Sequence, residues 1–362
     1  MKKKVLIIDD SALMRRVISD IINADDRFQV VETAVNGLDG LNLLQSRAKD
    51  FDAVLLDINM PKMNGIEVLE KVREQSIKAT IIVVSTIAKK DATETIRALE
   101  LGAFDFVKKP DSYLEVKSNF FSDSILNCLA TATKAEVKQE KSGLTASVLQ
   151  IIKVEPVSPK KAPIQLKPNA NKLVALACST GGPKALHTVI PKLPKNLDAP
   201  VLVVQHMPGG FTKSLADRLN ELSQLTVKEA EDGDIIKKGT VYIAKGGYQM
   251  RLKKLQDGRY CLSVTEEPAR HGLLPCADIM YESLENIEMD QITCVVLTGM
   301  GGDGTAGISK LSKKQNIYVI AQNEETCIVY GMPKVIRDAG LVNEIVALND
   351  ISDAITKNVG VQ

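Results

Sequence analysis

Short apolar runs that stop abruptly at polar residues recur along this chain, with helically spaced segments between them. Residues 4–8 form one such run and end at Asp9 and Asp10, and residues 11–22 follow with helical spacing. A second run, 53–56, ends at Asp57. A third, 80–84, ends at Ser85 and Thr86 before a helix-like segment at 91–101. A fourth, 104–107, ends at Lys108, Lys109 and Pro110. Short continuous apolar strands alternating with helices predict a parallel sheet with helices on both faces.

From about residue 132 to 171 the texture changes. Aromatic residues vanish, lysine and glutamate mix, and Pro156, Pro159, Pro163 and Pro168 oppose regular structure, as in a semi-extended linker. Within it, residues 147–154 are apolar enough to dock on a domain. Strand-like runs then resume at 173–177, 201–204, 240–244, 260–264, 293–297 and 317–320, with helical segments such as 183–190 and 213–221 among them. The expected organisation is a first α/β domain over 1–128, a linker over 129–170 and a second α/β domain over 171–362.

The length of 362 residues suits two hydrophobic cores better than one. A hydrophobic fraction of 44% with 25% charged residues is that of ordinary soluble protein. The net charge of +1, without a basic tract, argues against a dominant non-specific attraction to nucleic acid or anionic membrane. The lysines before residues 5–8 imitate a signal peptide, but that apolar run is too short and ends in two acids. No stretch approaches the roughly 18 apolar residues of a spanning helix. Cys128, Cys178, Cys261, Cys276, Cys294 and Cys327 include no CxxC pair, as expected of reduced thiols in a cytoplasmic protein.

Asp9, Asp10, Asp57, Ser85 and Lys109 each fall at the C-terminal end of an expected parallel strand, the edge where open α/β sheets bind ligands. Crowded carboxylates need a cation, and a hard oxygen cluster suits Mg²⁺. A carboxylate there can attack a phosphoryl donor, with Mg²⁺ and a lysine neutralising the transferring charge. Singly, each residue has a plain alternative: Asp10 as a helix cap, Lys109-Pro110 as a tight turn. Together with Met60, Pro61, Met63 and Gly65, the set resembles the receiver domain of two-component response regulators. That resemblance covers roughly the first 125 residues. It implies Asp57 as phosphoacceptor, Asp10 and Asp57 as Mg²⁺ ligands, Asp9 acting through water, and the Asn59 carbonyl completing the site. Ser85, Phe106 and Lys109 would form the switch. Asn64 replaces the commoner aspartate before Gly65, a turn substitution expected to be harmless.

Three strand ends in the second half also carry chemistry. The run 173–177 leads into Cys178, Ser179, Thr180, Gly181 and Gly182, and then Pro183 at a helix start. The run 201–204 ends at Gln205 and His206, and 293–297 leads to Thr298, Gly299, Met300, Gly301, Gly302 and Asp303. Serine needs a base to remove its proton, imidazole titrates near neutrality, and a carboxylate holds the useful tautomer. Glycine turns let backbone N–H groups approach an oxyanion, typically for ~3 kcal/mol per donor, and the Met300 N–H is one candidate. The chain holds three histidines. His187 reads as a packed or exposed helix residue and His271 as a loop residue. His206 ends a strand beside prolyl and glycyl turns, which by itself leaves catalysis and structure evenly balanced.

Two rivals use the same residues. Ala177-x-Ser179-x-Gly181 imitates the nucleophile elbow of α/β-hydrolases, but those run serine, acid, histidine along the chain. Dinucleotide binding would want an acid at the end of the next strand, where Gln205 and His206 stand.

The segments Ser179–Gly182, Gln205–Thr212, Lys228–Asp234, Leu297–Gly304 and Tyr330–Pro333 resemble the chemotaxis protein-glutamate methylesterase (CheB-type) family over about residues 171–362. The combined resemblance implies a flavodoxin-like receiver followed by a Rossmann-like three-layer hydrolase domain, both doubly wound. It implies Ser179 as nucleophile, His206 as general base then acid, Asp303 as its orienter, and Thr180 and Met300 lining the site, with no cofactor there. Substrates would be γ-glutamyl methyl esters on chemoreceptor cytoplasmic helices, with receptor glutamines deamidated as well. A chemotaxis histidine kinase would be the phosphodonor, and the unphosphorylated receiver would inhibit the hydrolase. Nucleic acid and direct membrane insertion are not expected. Ala177 stands where the family usually has glycine. Lys245 to Gln249 stands where it has Pro-Gly and a histidine, and the loop 271–275 is longer than usual.

Overall fold

The computed structural model describes residues 1–110, 119–135 and 170–362. The chain divides into two compact units, Met1–Glu140 and Lys141–Gln362. The four prolines of the expected linker and residues 147–154 lie outside the described residues.

The first unit is a five-stranded parallel sheet: β1 (Lys3–Ile8), β2 (Phe28–Ala34), β3 (Ala53–Asp57), β4 (Ile81–Ser85) and β5 (Asp105–Lys108). The spatial order is β2-β1-β3-β4-β5, the doubly wound flavodoxin-like arrangement. Every residue of β3 and β4 is buried, so both faces are covered and the apolar runs are continuous. Val5, Ile7, Leu55, Ile82 and Val84 meet Ile18 and Ile22 of α1 (Ala12–Ala24) in one core. α1 opens on Ser11, whose hydroxyl accepts the Met14 N–H. Three more helices are α2 (Gly37–Arg47), α3 (Gly65–Glu74) and α4 (Lys89–Leu101). A fifth, α5 (Asn119–Thr133), runs past residue 128. The apolar pattern did not mark β2, an edge strand buried only at Phe28 and Ala34 whose middle carries Gln29 and Glu32.

The second unit has a seven-stranded parallel sheet. Its strands are β6 (Lys172–Cys178), β7 (Val201–Gln205), β8 (Thr226–Glu229), β9 (Thr240–Ile243), β12 (Gln291–Val296), β13 (Ile317–Gln322) and β14 (Glu344–Val346). The order is β14-β13-β12-β6-β7-β9-β8. Leaving out the edge strand β8, this is the dinucleotide-fold order, and it reverses between β6 and β12. Between β9 and β12, β10 (Gln249–Lys254) and β11 (Tyr260–Thr265) form a separate antiparallel hairpin. The run at 260–264 is therefore a strand, but not one of the main sheet. It turns back on β10 through Gly258, which takes the left-handed φ of 84° such a turn needs.

One helix ties the hairpin to the centre of the sheet. The helices of this unit are α6 (Gly182–Val189), α7 (Phe211–Leu222), α8 (Ala277–Ser283), α9 (Thr305–Leu311), α10 (Met332–Asp338) and α11 (Ile351–Val359). Tyr281 of α8 is fully buried, and its hydroxyl donates to Ala175 O of β6 at 3.1 Å and Val295 O of β12 at 3.3 Å. The start of α8 is thereby fixed beside the point where the strand order reverses.

Candidate active site

The three strand ends expected to carry hydrolase chemistry meet at that reversal. β6 pairs with β12 on one side and with β7 on the other, and Cys178 lies opposite Gln205. Ser179 N–H donates to Thr298 O at 3.0 Å, and His206 N–H donates to Cys178 O at 3.2 Å. Ser179 and His206 thus follow neighbouring strands. The turn after β12 closes over the serine, since a Cβ on Gly299 would lie 2.8 Å from Ser179 Cβ. Gly299 O in turn accepts the N–H groups of Gly331 and Met332, which hold it there.

His206 Nε2 and Asp303 Oδ2 are 2.8 Å apart, with both side chains almost wholly buried. Asp303 is held from several directions. Oδ2 also accepts the Ala277 N–H at 2.6 Å; Oδ1 accepts the Asp278 and Gly304 N–H groups at 3.0 Å and the Cys276 thiol at 3.2 Å. Burial opposes its ionisation, but the His206 hydrogen bond and charge and the N–H groups of Ala277 and Asp278 outweigh it. The carboxyl sits below the usual range and stays an anion.

The Ser179 hydroxyl makes no hydrogen bond among the described residues, nor does His206 Nδ1. The structure joins His206 to Asp303 and places Ser179 at the end of the next strand, without a serine–histidine contact. Such contacts often tighten only when substrate binds. The Thr180 carbonyl accepts the Thr298 hydroxyl at 3.0 Å, while its own N–H has no partner among the described residues. Met300 is 41% exposed beside Gly299. His187 is a helix residue bonded to Pro183 O, and His271 lies exposed in a loop.

Sequence reasoning gave no role to two residues that shape this site. Gln205 is buried; its Nε2 donates to Ser179 O at 3.1 Å and to His206 O at 3.2 Å, and its Oε1 accepts the Cys178 thiol at 3.0 Å. One carboxamide clasps the backbones of Ser179 and His206. Asp278 is a second buried acid beside Asp303, whose Oδ1 accepts the N–H groups of Gly304 and Gly307. Burial and the Asp303 charge push its carboxyl up to about 6. A buried glutamine at a strand end and an acid at a helix start were the available signals.

The first unit gathers its expected residues too. Ligand atoms of Asp9, Asp10 and Asp57 lie within 4.8 Å of one another. Lys109 Nζ reaches Asp57 at 2.8 Å and Asp9 at 3.0 Å. Burial pushes Asp57 up to about 6, against the pull of Lys109. Three convergent carboxylates are the hard oxygen donors a divalent cation requires. The Ser85 hydroxyl, 2% exposed, accepts from Thr95 at 2.7 Å, and the Asn59 side chain donates to Asp91 at 2.9 Å. Phe106 is half-buried on β5.

A flavodoxin-like fold with three convergent carboxylates, followed by a doubly wound sheet with a His–Asp pair at its switch point, is the architecture of a response regulator with an enzymatic output domain. The comparisons agree. The response regulator receiver domain model matches residues 5–118, and the CheB methylesterase model matches 174–355. The protein-glutamate methylesterase/protein-glutamine glutaminase of Halalkalibacterium halodurans is 41% identical over 98% of this chain and 97% of its own. The Bacillus subtilis protein of the same name is 40% identical, with 98% of each chain covered. The Thermotoga maritima CheB methylesterase catalytic domain superposes with a TM-score of 0.50 at 42% identity, covering 52% of this chain and 98% of that domain. The chain belongs to the CheB methylesterase family.

Proposed function

We propose that this protein is a phosphorylation-regulated protein-glutamate methylesterase and protein-glutamine glutaminase of chemotactic adaptation. Its substrates are γ-glutamyl methyl esters on chemoreceptor cytoplasmic helices, hydrolysed to glutamate and methanol, and receptor glutamines. The observation that carries the reading is the buried His206–Asp303 pair, one strand from Ser179.

In this reading His206 takes the Ser179 proton as the serine oxygen attacks the ester carbonyl carbon. With Nε2 held by Asp303, Nδ1 is the ring atom available to the serine. The N–H groups of Thr180 and Met300 receive the oxyanion. His206 then returns its proton to the departing methoxide, methanol leaves, and water attacks the acyl-serine by the same route to give glutamate and regenerate Ser179. Glutamine follows the identical path with ammonia as leaving group.

Asp57 accepts a phosphoryl group from a chemotaxis histidine kinase; Asp10, Asp57 and the Asn59 carbonyl, with Asp9 through water, would hold Mg²⁺, which would supply positive charge against the transferring group. Lys109 neutralises that charge from the protein side. Ser85 and Phe106 relay the change, and phosphorylation relieves inhibition of the hydrolase by the receiver. The first domain, expected over 1–128, extends through the end of α5 at Thr133, and the catalytic domain spans 171–362, with a linker between. Among the described residues no helix is long and apolar enough to cross a membrane, and the enzyme works at the cytoplasmic ends of its receptors.

Methanol release from methylated receptor membranes tests the reading. The wild-type chain is expected to release methanol, and Ser179→Ala to lose about 10⁶ in turnover, as serine proteases do. A folded wild type that releases none would leave the second unit a binding scaffold.

A further inference from the structure

The donors that hold Asp303 come largely from one short segment. Cys276 supplies its thiol, and Ala277 and Asp278 supply their N–H groups. That segment opens α8 and ends the loop that begins at Arg270, whose N–H and carbonyl close a turn with Leu273. One buried side chain fastens the loop to the hairpin. Gln249, at the first position of β10 and 0% exposed, accepts the Cys276 N–H on Oε1 at 2.9 Å and donates from Nε2 to Leu273 O at 3.3 Å. A carboxamide is the group that can do both, since it offers an acceptor and a donor from one planar end.

A continuous chain of contacts follows, from β10 through Gln249 to Cys276, to Asp303 and to His206. Cys276 is 1% exposed, and burial together with the Asp303 charge pushes its thiol up, so the sulfur stays protonated and donates. The three hydrogen bonds of this chain of contacts lie among almost wholly buried side chains, where solvent offers little alternative partnering.

We propose that Gln249 and Cys276 are positioning residues that together set the orientation of the Asp303 carboxylate, and through it the imidazole of His206. Gln249 fixes where the segment 276–278 begins, and the Cys276 thiol holds Oδ1 so that Oδ2 faces the ring. This deepens, and its catalytic readout rests on, the proposed serine hydrolysis. The pairing of Asp303 with His206 does not.

The test uses the full chain with Gln249→Met, Cys276→Ala and Cys276→Ser. Three readouts are needed: thermal melting, kcat and KM for methanol release, and the downfield proton resonance of the His206 imidazole N–H bonded to Asp303. Gln249→Met keeps length while removing both polar atoms, and Cys276→Ser keeps a donor at Oδ1. Gln249→Met and Cys276→Ala are expected to fold and to lower kcat roughly tenfold, with KM changed less than about twofold. Both should shift or broaden the imidazole resonance, and Cys276→Ser should restore kcat and the resonance. Folded Gln249→Met and Cys276→Ala proteins with wild-type kcat and an unmoved resonance would overturn the proposal, as would a loss confined to melting temperature. If the variants move the resonance but the wild type releases no methanol, the positioning role stands and the hydrolase reading fails.

Discussion

Replacing Asp303 with asparagine exposes how much of the site depends on a carboxylate rather than on a side chain of that shape. Asp303 presents only acceptors and meets only donors. Oδ2 receives His206 Nε2 and the Ala277 N–H; Oδ1 receives the Cys276 thiol and the N–H groups of Asp278 and Gly304. An amide nitrogen in either position confronts at least two donors. Two buried donors left unpaired cost about 1–3 kcal/mol each, or roughly 2–6 kcal/mol. For a unit of this size that is a fall in melting temperature of roughly 4–24 °C. The imidazole also loses the partner that fixes its tautomer, a change that costs a serine protease about 10⁴ in kcat. Differential scanning calorimetry of the full chain and methanol-release kinetics on receptor membranes measure the two effects. An Asp303→Asn protein with wild-type melting and wild-type kcat would refute both the donor accounting and the role of the pair.

Three further outcomes follow from the same geometry. Asp278, raised to about 6 by burial and by Asp303, binds a proton more tightly folded than unfolded, where its value is about 4. It therefore costs stability that grows as pH rises from about 4 to about 6, on the order of 2–3 kcal/mol at pH 7. Asp278→Asn keeps Oδ1 for Gly304 and Gly307, so melting at pH 7–8 should rise relative to wild type; an equal gain at pH 4 would disprove the titration argument. In Gly182→Ala the new Cβ would run into the Gln205 carboxamide oxygen, prising it from Ser179 and His206, with a cost of about 1–3 kcal/mol and a lower kcat. Asp57→Asn should abolish stimulation of methanol release by a small-molecule phosphodonor with Mg²⁺; a retained response would move the phosphoacceptor elsewhere.

The strand ends were legible because a parallel strand buried on both faces is an unbroken apolar run that must stop where its chain reaches the binding edge. Asp9, Asp57, Ser179 and His206 all stand at such stops. Of the four edge strands, β5 was legible as the run 104–107, but three were not: β2 is half polar, and β8 and β14 have only four and three residues. The strand order that brings Asp303 to His206 depends on crossovers that no local pattern records. The same is true of the donors on Asp303, whose segment lies about 25 residues upstream and arrives through the packing of Tyr281. Gln249 read as the loss of a titratable group, whereas its burial and two hydrogen bonds make it part of the frame.

Mass spectrometry of the full-length enzyme, treated with a fluorophosphonate that labels activated serines, tests the central claim most directly. A single adduct is expected on the peptide carrying Ser179, forming rapidly in wild type and at least about 10³-fold more slowly in His206→Ala. Labelling of Ser179 at an undiminished rate without the imidazole, or of another serine in its place, would contradict the account.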